Sequence, residues 1–395
     1  MDPKIYLAID NCFAIKRWTT PGEWVRVIQE LGLNYVEGVP DLEIEPLLME
    51  PGYRADWLDE MNRVQAETGI RMVMLYSNNS TYDTIGLAHP DKRVRDYIIE
   101  KWFATFMDTA VRLDASVGYF VHAFPEYILF DKSLYAQACD NVMDSIIRLN
   151  TMAKDKGIRE MALEQMYTPN QVPFTIDGMK RMMQSVLSGS GKALYLTEDV
   201  GHHCPYYVRP TADAIRAAYR HYRQNGYIPV WLGSREAQAI FTGASPQDGG
   251  ICDGDVERIL DDAAQNGHLF SAERDNSCYE WLKELGCYSP VVHLQQTDGT
   301  HSSHKPFTPE NNRDGIIRPL EILRALKESC DRPAEAGMPE RCEDVYLTFE
   351  LYASTKQIGY QVLYELRRSV EYWREFIPKD GMRLSELLKR AQTGM

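Results

Sequence analysis

The chain is predicted to be an α/β protein in which eight βα units close into a (β/α)8 barrel, with an insertion between strand 6 and helix 6. Three features of the 395 residues predict this. Near-continuous apolar runs of four to eight residues alternate with amphipathic segments of ten to twenty, the rhythm of a parallel sheet covered by helices. The runs number eight, as one closed barrel requires. Several of them end in acidic or imidazole side chains, and the C-terminal ends of the strands are where such barrels carry their chemistry.

In chain order the strands are expected at 5–9, 35–39, 71–76, 117–122, 160–164, 193–197, 291–295 and 345–350. The first helix opens at Thr20-Pro21-Gly22-Glu23, a capping Thr, Pro at the first helical position and an acid three residues on, with Trp24, Val27, Ile28 and Leu31 on one face. One long helix is expected over 91–114, with Val94, Ile98, Trp102 and Phe106 at helical spacing. Another is expected over 134–156, stopped by Gly157, and a last one over 355–376. Ser188-Gly189-Ser190-Gly191-Lys192 has the look of a phosphate-binding loop, but Val186 and Ala193 break the pattern and it precedes a strand, so a helix-to-strand turn accounts for it.

Residues 204–275 interrupt the rhythm before the helix SCYEWLKEL. Helices at 211–225 and 253–266 flank an apolar YIPVWL and a loop, TGASPQDGG. The expectation is a single barrel domain over 1–395 with 204–275 inserted at its mouth as a lid or an oligomer contact. The tail from Lys379 reads as a short polar extension.

With 44% hydrophobic and 25% charged residues the chain has the composition of a soluble globular protein. A net charge of -14 repels a phosphate backbone, which argues against nucleic acid as a partner. No run approaches ~18 apolar residues, and the first residues lack the order of a secretory signal, so no membrane partner and a cytoplasmic location are expected. The eight cysteines include no CxxC pair and are expected as free thiols. Asn78 and Asn79 begin sequons that a cytoplasmic location leaves unmodified. Large barrels commonly associate, so a homodimer or tetramer is expected.

The candidate site is organised around LYLTEDVGHH, a strand that ends in Asp199 with His202 three residues later. Strand five ends in Glu164, strand seven carries His293, and strand eight ends in Glu350. Three carboxylates and one imidazole on successive strands form an oxygen-rich set that suits one divalent cation of the Mn2+, Mg2+ or Co2+ kind, and Zn2+ less well. The chemistry that needs such a set is proton movement beside a carbonyl: a cation stabilises the enediolate, and two carboxylates remove and return the proton. Glu164 and Glu350 are the candidates for that pair, with Asp199 and His293 completing the metal shell and His202 outside it, at a substrate oxygen. The implied partner is a small carbohydrate.

The order Glu, Asp-x-x-His, His, Glu at the ends of strands five to eight resembles the xylose-isomerase-like TIM-barrel superfamily, in its sugar and sugar-phosphate isomerase and epimerase branch. CFAIKRWTTPGEW and HLQQTDGTHSSHKPFT are also similar to the group acting on tetrulose phosphates such as erythrulose phosphate. The resemblance spans 1–203 and 277–376 and implies a metal-dependent epimerase or isomerase of a small ketose, keto acid or ketose phosphate. A dehydratase or decarboxylase of a keto-sugar acid on the same site is the alternative, and an endonuclease IV-like metal-dependent phosphodiesterase the alternative of another class. Asn170 and Gly299 stand where the ketohexose epimerases carry a Glu and an Arg, so substrate contacts must differ; His304 and Lys305, with His301, are candidates to supply them. His122 and Glu37 are further candidates for substrate contact. Arg209, Arg235 and Arg274 in the insertion are candidates to hold a phosphate.

Overall fold

The computed structural model describes residues 1–77, 84–245 and 250–393; Asn78, Asn79 and part of the TGASPQDGG loop lie outside them. Eight parallel strands pair in chain order: β1 Lys4–Asp10, β2 Tyr35–Gly38, β3 Arg71–Tyr76, β4 Ser116–Tyr119, β5 Met161–Glu164, β6 Tyr195–Asp199, β7 Val291–Leu294 and β8 Asp344–Phe349. Because β1 pairs with both β8 and β2, the sheet closes on itself into the expected (β/α)8 TIM barrel.

The first helices are α1 Pro21–Glu30 and α2 Pro51–Thr68. The Glu23 carboxylate accepts the backbone N–H of Thr19 at 2.7 Å, so the acid read as a cap does meet the helix start. After β3 come α3 Lys92–Tyr97 and α4 Ala104–Arg112, and between them a wider π-helical turn over Ile98–Phe103 divides the helix expected at 91–114. That turn brings Ile99, Trp102 and Phe103 together into the core, a rotation that regular 3.6-residue spacing does not anticipate. α5 Glu126–Leu129 and α6 Lys132–Lys156 follow β4, and α7 Ile176–Ser190 follows β5. α8 Ala212–Asn225, α9 Arg235–Gly243 and α10 Asp253–Gln265 lie between β6 and α11 Cys278–Leu285. α9 was not expected: Ser234 caps it through Ala237 N, and only Ala237 and Phe241 anchor its nine residues. α8 to α10 share a hydrophobic cluster of their own around Ile215, Tyr219, Phe241 and Ile259. α12 Pro309–Asp314 and α13 Pro319–Asp331 follow β7, and α14 Gly359–Arg374 follows β8.

Two other expectations need correction. The fourth strand stops at Tyr119, where its pairing with β5 ends, so His122 lies in the loop beyond. The polar extension is structured: β9 Met382–Arg383 pairs antiparallel with Lys4 and Ile5 of β1, and α15 Leu384–Gln392 buries Leu384 and Leu387. Among the described residues no helix is long and apolar enough to cross a membrane, and all eight cysteines are free.

Alternation along each strand sends one set of side chains outward to the helices and the other into the barrel. The N-terminal end of the barrel is plugged by Tyr6, Tyr35 and Tyr346, with ring centroids 4.9 Å apart for Tyr6 against each of the other two. Above them Met74, Phe120, Ala162 and Val291 form an apolar layer. The C-terminal layer is polar, and it contains the site.

Candidate metal centre and active site

Glu164 is the last residue of β5 and Asp199 the last of β6; His293 lies on β7, and Glu350 directly follows β8. The parallel register sets Asp199 beside His293, and a ligand atom from each of Glu164, Asp199, His293 and Glu350 lies within 4.8 Å of every other. All four are buried. The His293 Nδ1 stands 3.5 Å from Glu164 and 3.4 Å from Glu350.

Such a cluster is electrostatically expensive. At an effective dielectric of about 20, two like charges about 4 Å apart repel by ~4 kcal/mol, more than one hydrogen bond returns. Burial, followed by the nearby charges of Asp199 and Glu164, raises the Glu350 pKa well above the ordinary carboxylate range despite the opposing pull of His293. Burial raises that of Asp199 too, but the imidazoles of His202, His304 and His293 outweigh it and the net shift is downward. The His293 Nδ1 and Glu350 Oε2 are both buried without a hydrogen-bond partner. Three carboxylates and one orphaned imidazole nitrogen facing a common point are a donor set that fits one divalent cation.

The surrounding side chains orient this set, and sequence reading missed most of them. The Gln295 Nε2 donates to both Asp199 oxygens, at 3.0 and 2.9 Å, while its Oε1 accepts the backbone N–H of Ser303 at 2.9 Å and of His304 at 2.6 Å. His304 has a positive φ of 45°, an unfavourable conformation for a non-glycine residue that Gln295 helps to hold. Gly201 N donates to Asp199 Oδ1 at 2.7 Å, and a Cβ on Gly201 would lie 2.1 Å from the Gln295 amide carbon, so only glycine fits that turn. Gln165 brackets the same strand end, accepting Asp199 N at 2.9 Å and donating to Asp199 O at 2.7 Å. The buried Tyr76 hydroxyl donates to Glu164 Oε2 at 3.0 Å; Gly118 makes this reach possible, because a Cβ there would meet the Tyr76 ring at 2.1 Å. Asp10, at the end of β1, is buried, and burial with the neighbouring Glu37 raises its pKa well above the ordinary value.

His202 lies against the cluster: its Nε2 is 3.2 Å from Asp199 Oδ2, and its Nδ1 is 3.0 Å from Gln165 O and 3.6 Å from Glu164. His304 Nδ1 is 3.5 Å from Glu350 Oε2, and Asp199, His202 and His304 also converge. A shift of pairing in β2 between Val36 and Glu37 accompanies the inward aim of Glu37, whose Oε1 is 2.8 Å from His293 Nε2. Lys305 lies further out, 3.6 Å from Asp298, on a segment that pairs with Gln296. His122 packs beside Phe120, with ring centroids 5.0 Å apart. Of the insertion's arginines, Arg274 pairs with Asp177 at 2.6 Å, and Arg235 and Arg209 lie over Phe130 and Phe270. Asn170 donates to Phe124 O at 3.1 Å. Glu198 faces away from the barrel interior and meets His203 at 3.0 Å.

The family described as xylose isomerase-like TIM barrel matches residues 25–285. The chain belongs to that family. D-erythrulose 1-phosphate 3-epimerase of Brucella abortus (strain 2308) is 20% identical over 374 residues, covering 93% of this chain and 94% of that protein. The crystal structure of a putative xylose isomerase from Rhodospirillum rubrum ATCC 11170 superposes with a TM-score of 0.64 at 14% identity, covering 94% of this chain and 99% of the other. That of IolI protein with a bound zinc atom gives 0.53 at 14% identity, covering 94% and 98%. At these identities the solved structures speak for the fold. The chain is an enzyme of the isomerase and epimerase kind.

Proposed function

We propose that this enzyme is a metal-dependent epimerase or isomerase of a small ketose, keto acid or ketose phosphate, moving a proton through an enediolate. The observation that carries the reading is the convergence of Glu164 and Glu350, from strands on different sides of β6 and β7, on the point that Asp199 and His293 also face. Glu164, Asp199, His293 and Glu350 would hold one divalent cation of the Mn2+, Mg2+ or Co2+ kind. Bound there, it would supply electrostatic stabilisation for the negative charge that develops on a carbonyl oxygen and its neighbour as a carbon-bound proton leaves.

Glu164 and Glu350 then act as the acid/base pair, one removing the proton and the other returning it. Tyr76 directs Glu164 through its hydroxyl bond. His202 and His304, beside Asp199 and Glu350, are assigned to contacts with substrate hydroxyls. Lys305 and His122 are assigned to the more distant substrate groups. Glu37, expected at the substrate, is assigned instead to holding His293. Residues 204–275 are read as an insertion within one domain, and the assembly as a cytoplasmic homodimer or tetramer, which size-exclusion chromatography with light scattering tests.

The similarity to an erythrulose phosphate epimerase puts tetrulose phosphates first among substrates to try. Incubation of the metal-loaded enzyme with tetrulose to hexulose phosphates and free ketoses in D2O should exchange a single carbon-bound hydrogen for deuterium in one of them, with no change in product mass beyond that atom. Loss of water or carbon dioxide from the product would replace this reading with the dehydratase or decarboxylase one.

A further inference from the structure

The join between β1 and β2 is completed by side chains, and they stand one step from the metal cluster. The main chain of β1 pairs with β2 through Ile9 with Val36 and Asp10 with Glu37, then turns off into a short 3-10 helix over Asn11–Ala14. Asn11, the first residue of that turn, is buried, and its Oδ1 accepts the backbone N–H of Val39 at 2.8 Å. The side chain thus continues the pairing for one further rung after the β1 backbone has left it.

Two buried acids crowd this join. Asp10 and Glu37 are register partners, and each disfavours the charge on the other. On the opposite side of β2 the register with β3 shifts between Val36 and Glu37. Glu37 therefore sits between a ladder that ends and one that is interrupted, yet its Oε1 is held 2.8 Å from His293 Nε2.

The Asn11 amide is itself anchored. Its Nδ2 donates to Glu43 Oε1 at 2.9 Å, and Glu43 Oε2 accepts the indole N–H groups of Trp57 on α2 and, at 3.5 Å, of Trp24 on α1. Because a backbone N–H donates and a carboxylate accepts, the amide is oriented at both ends. From Val39 the restraint reaches Glu37 through one residue, Gly38. Its backbone packs so closely on β3 that a Cβ there would lie 2.7 Å from Met72 Sδ and 3.1 Å from Leu75 Cδ2, which leaves no slack to absorb a displacement at Val39.

We propose that Asn11 is a positioning residue for the metal centre: by holding Val39 it sets Glu37, and through Glu37 the His293 ring that would bind the cation. This role rests on the proposed metal centre, in which Asn11 itself touches neither cation nor substrate.

The test is calorimetric titration of the metal-stripped, full-length protein with Mn2+ in a double-mutant cycle of Asn11→Ala and Glu37→Gln. Asn11→Ala alone should lower the affinity about tenfold, and in the Glu37→Gln background it should cost less than about twofold, because the residue it acts through is already disabled. An Asn11 with a merely structural role would cost the same in both backgrounds. Hydrogen exchange on the stripped proteins should show the Val39 amide exchanging about tenfold faster in Asn11→Ala. Where Asn11→Ala does not fold, Glu43→Ala, which leaves the Asn11 amide one anchor, takes its place in the cycle, with a loss of about threefold that also vanishes with Glu37→Gln. Wild-type affinity in the variant, or an equal loss in both backgrounds, overturns the proposal while leaving the metal centre standing. A wild-type chain that takes up no Mn2+ fails the metal centre itself, and the positioning role with it.

Discussion

Glu37 Oε1 meets His293 Nε2 at 2.8 Å, an approach that spans the barrel from β2 to β7 and turns His293 Nδ1 toward Glu164 and Glu350. A carboxylate behind an imidazole fixes which ring nitrogen is left for a cation. Glu37→Gln should therefore lower divalent-cation affinity about 10- to 100-fold. Calorimetric titration of the stripped variant with Mn2+ measures this, and an unchanged affinity would show that Glu37 does not serve the site through His293.

The proposed acid/base pair makes a sharper demand. Glu164→Gln and Glu350→Gln should each reduce solvent-deuterium exchange into substrate by about 10²- to 10⁴-fold, because each removes one proton-transfer group. The variants should still take up metal, as their amide oxygens keep one donor in place. Exchange persisting at the wild-type rate in both would sink the two-glutamate mechanism.

Elemental analysis of the purified enzyme should give one divalent ion per chain, since Glu164, Asp199, His293 and Glu350 face a single point. Chelation should lower the melting temperature, because an ion bound only by the folded state stabilises it by mass action. Mn2+, Mg2+ or Co2+ should restore it. Two or three ions per chain would favour the phosphodiesterase alternative.

Gly201→Ala tests the bracket around Asp199. The new methyl would displace the Gln295 amide, and overpacking of this kind costs about 1–3 kcal/mol. A lower melting temperature together with weaker metal binding is expected; a stability loss with intact metal affinity would separate Gln295 from the site.

Glu43 carries the pH dependence that the structure makes most explicit. Burial raises its pKa to about 7, although the indoles of Trp57 and Trp24 and the amide of Asn11 bond its oxygens. An acid whose folded pKa lies above its unfolded value contributes stability below the unfolded pKa, about 4.5, and loses it as pH rises through the folded one. Because part of the side chain remains open to solvent, the span is on the order of 2 kcal/mol rather than the full shift. Wild type should thus lose stability relative to Glu43→Gln between pH 5 and about 7, read by denaturant titration; parallel curves would refute it.

The eight strands were legible because each is a short apolar run with its own turn signals, and Glu164, Asp199, His293 and Glu350 were legible because strand ends in a barrel share one rim. Asp10, Tyr76, Gln165 and Gln295 were not, since each acquires its role from a neighbour brought close only by folding: Tyr76 from Glu164 and Gln295 from Asp199. β9 escaped for a related reason. Two residues, Met382 and Arg383, are too few to show alternation, and their partners are Ile5 and Lys4 at the far end of the chain. The π turn at Ile98–Phe103 was hidden because its apolar residues still fit a regular helix on paper.

The circle of strands is joined unevenly. β1 runs beside β8 from Lys4 to Ile9, but beside β2 it pairs only Ile9 with Val36 and Asp10 with Glu37. This is the thinnest seam in the hydrogen-bonded wall, and amides there should be among the first of the barrel to exchange with solvent. Glu37 sits on that seam and reaches across to His293, so the side chain that orients an imidazole also works as a clasp. Ordering the chemistry and shutting the cylinder are, at this residue, one event.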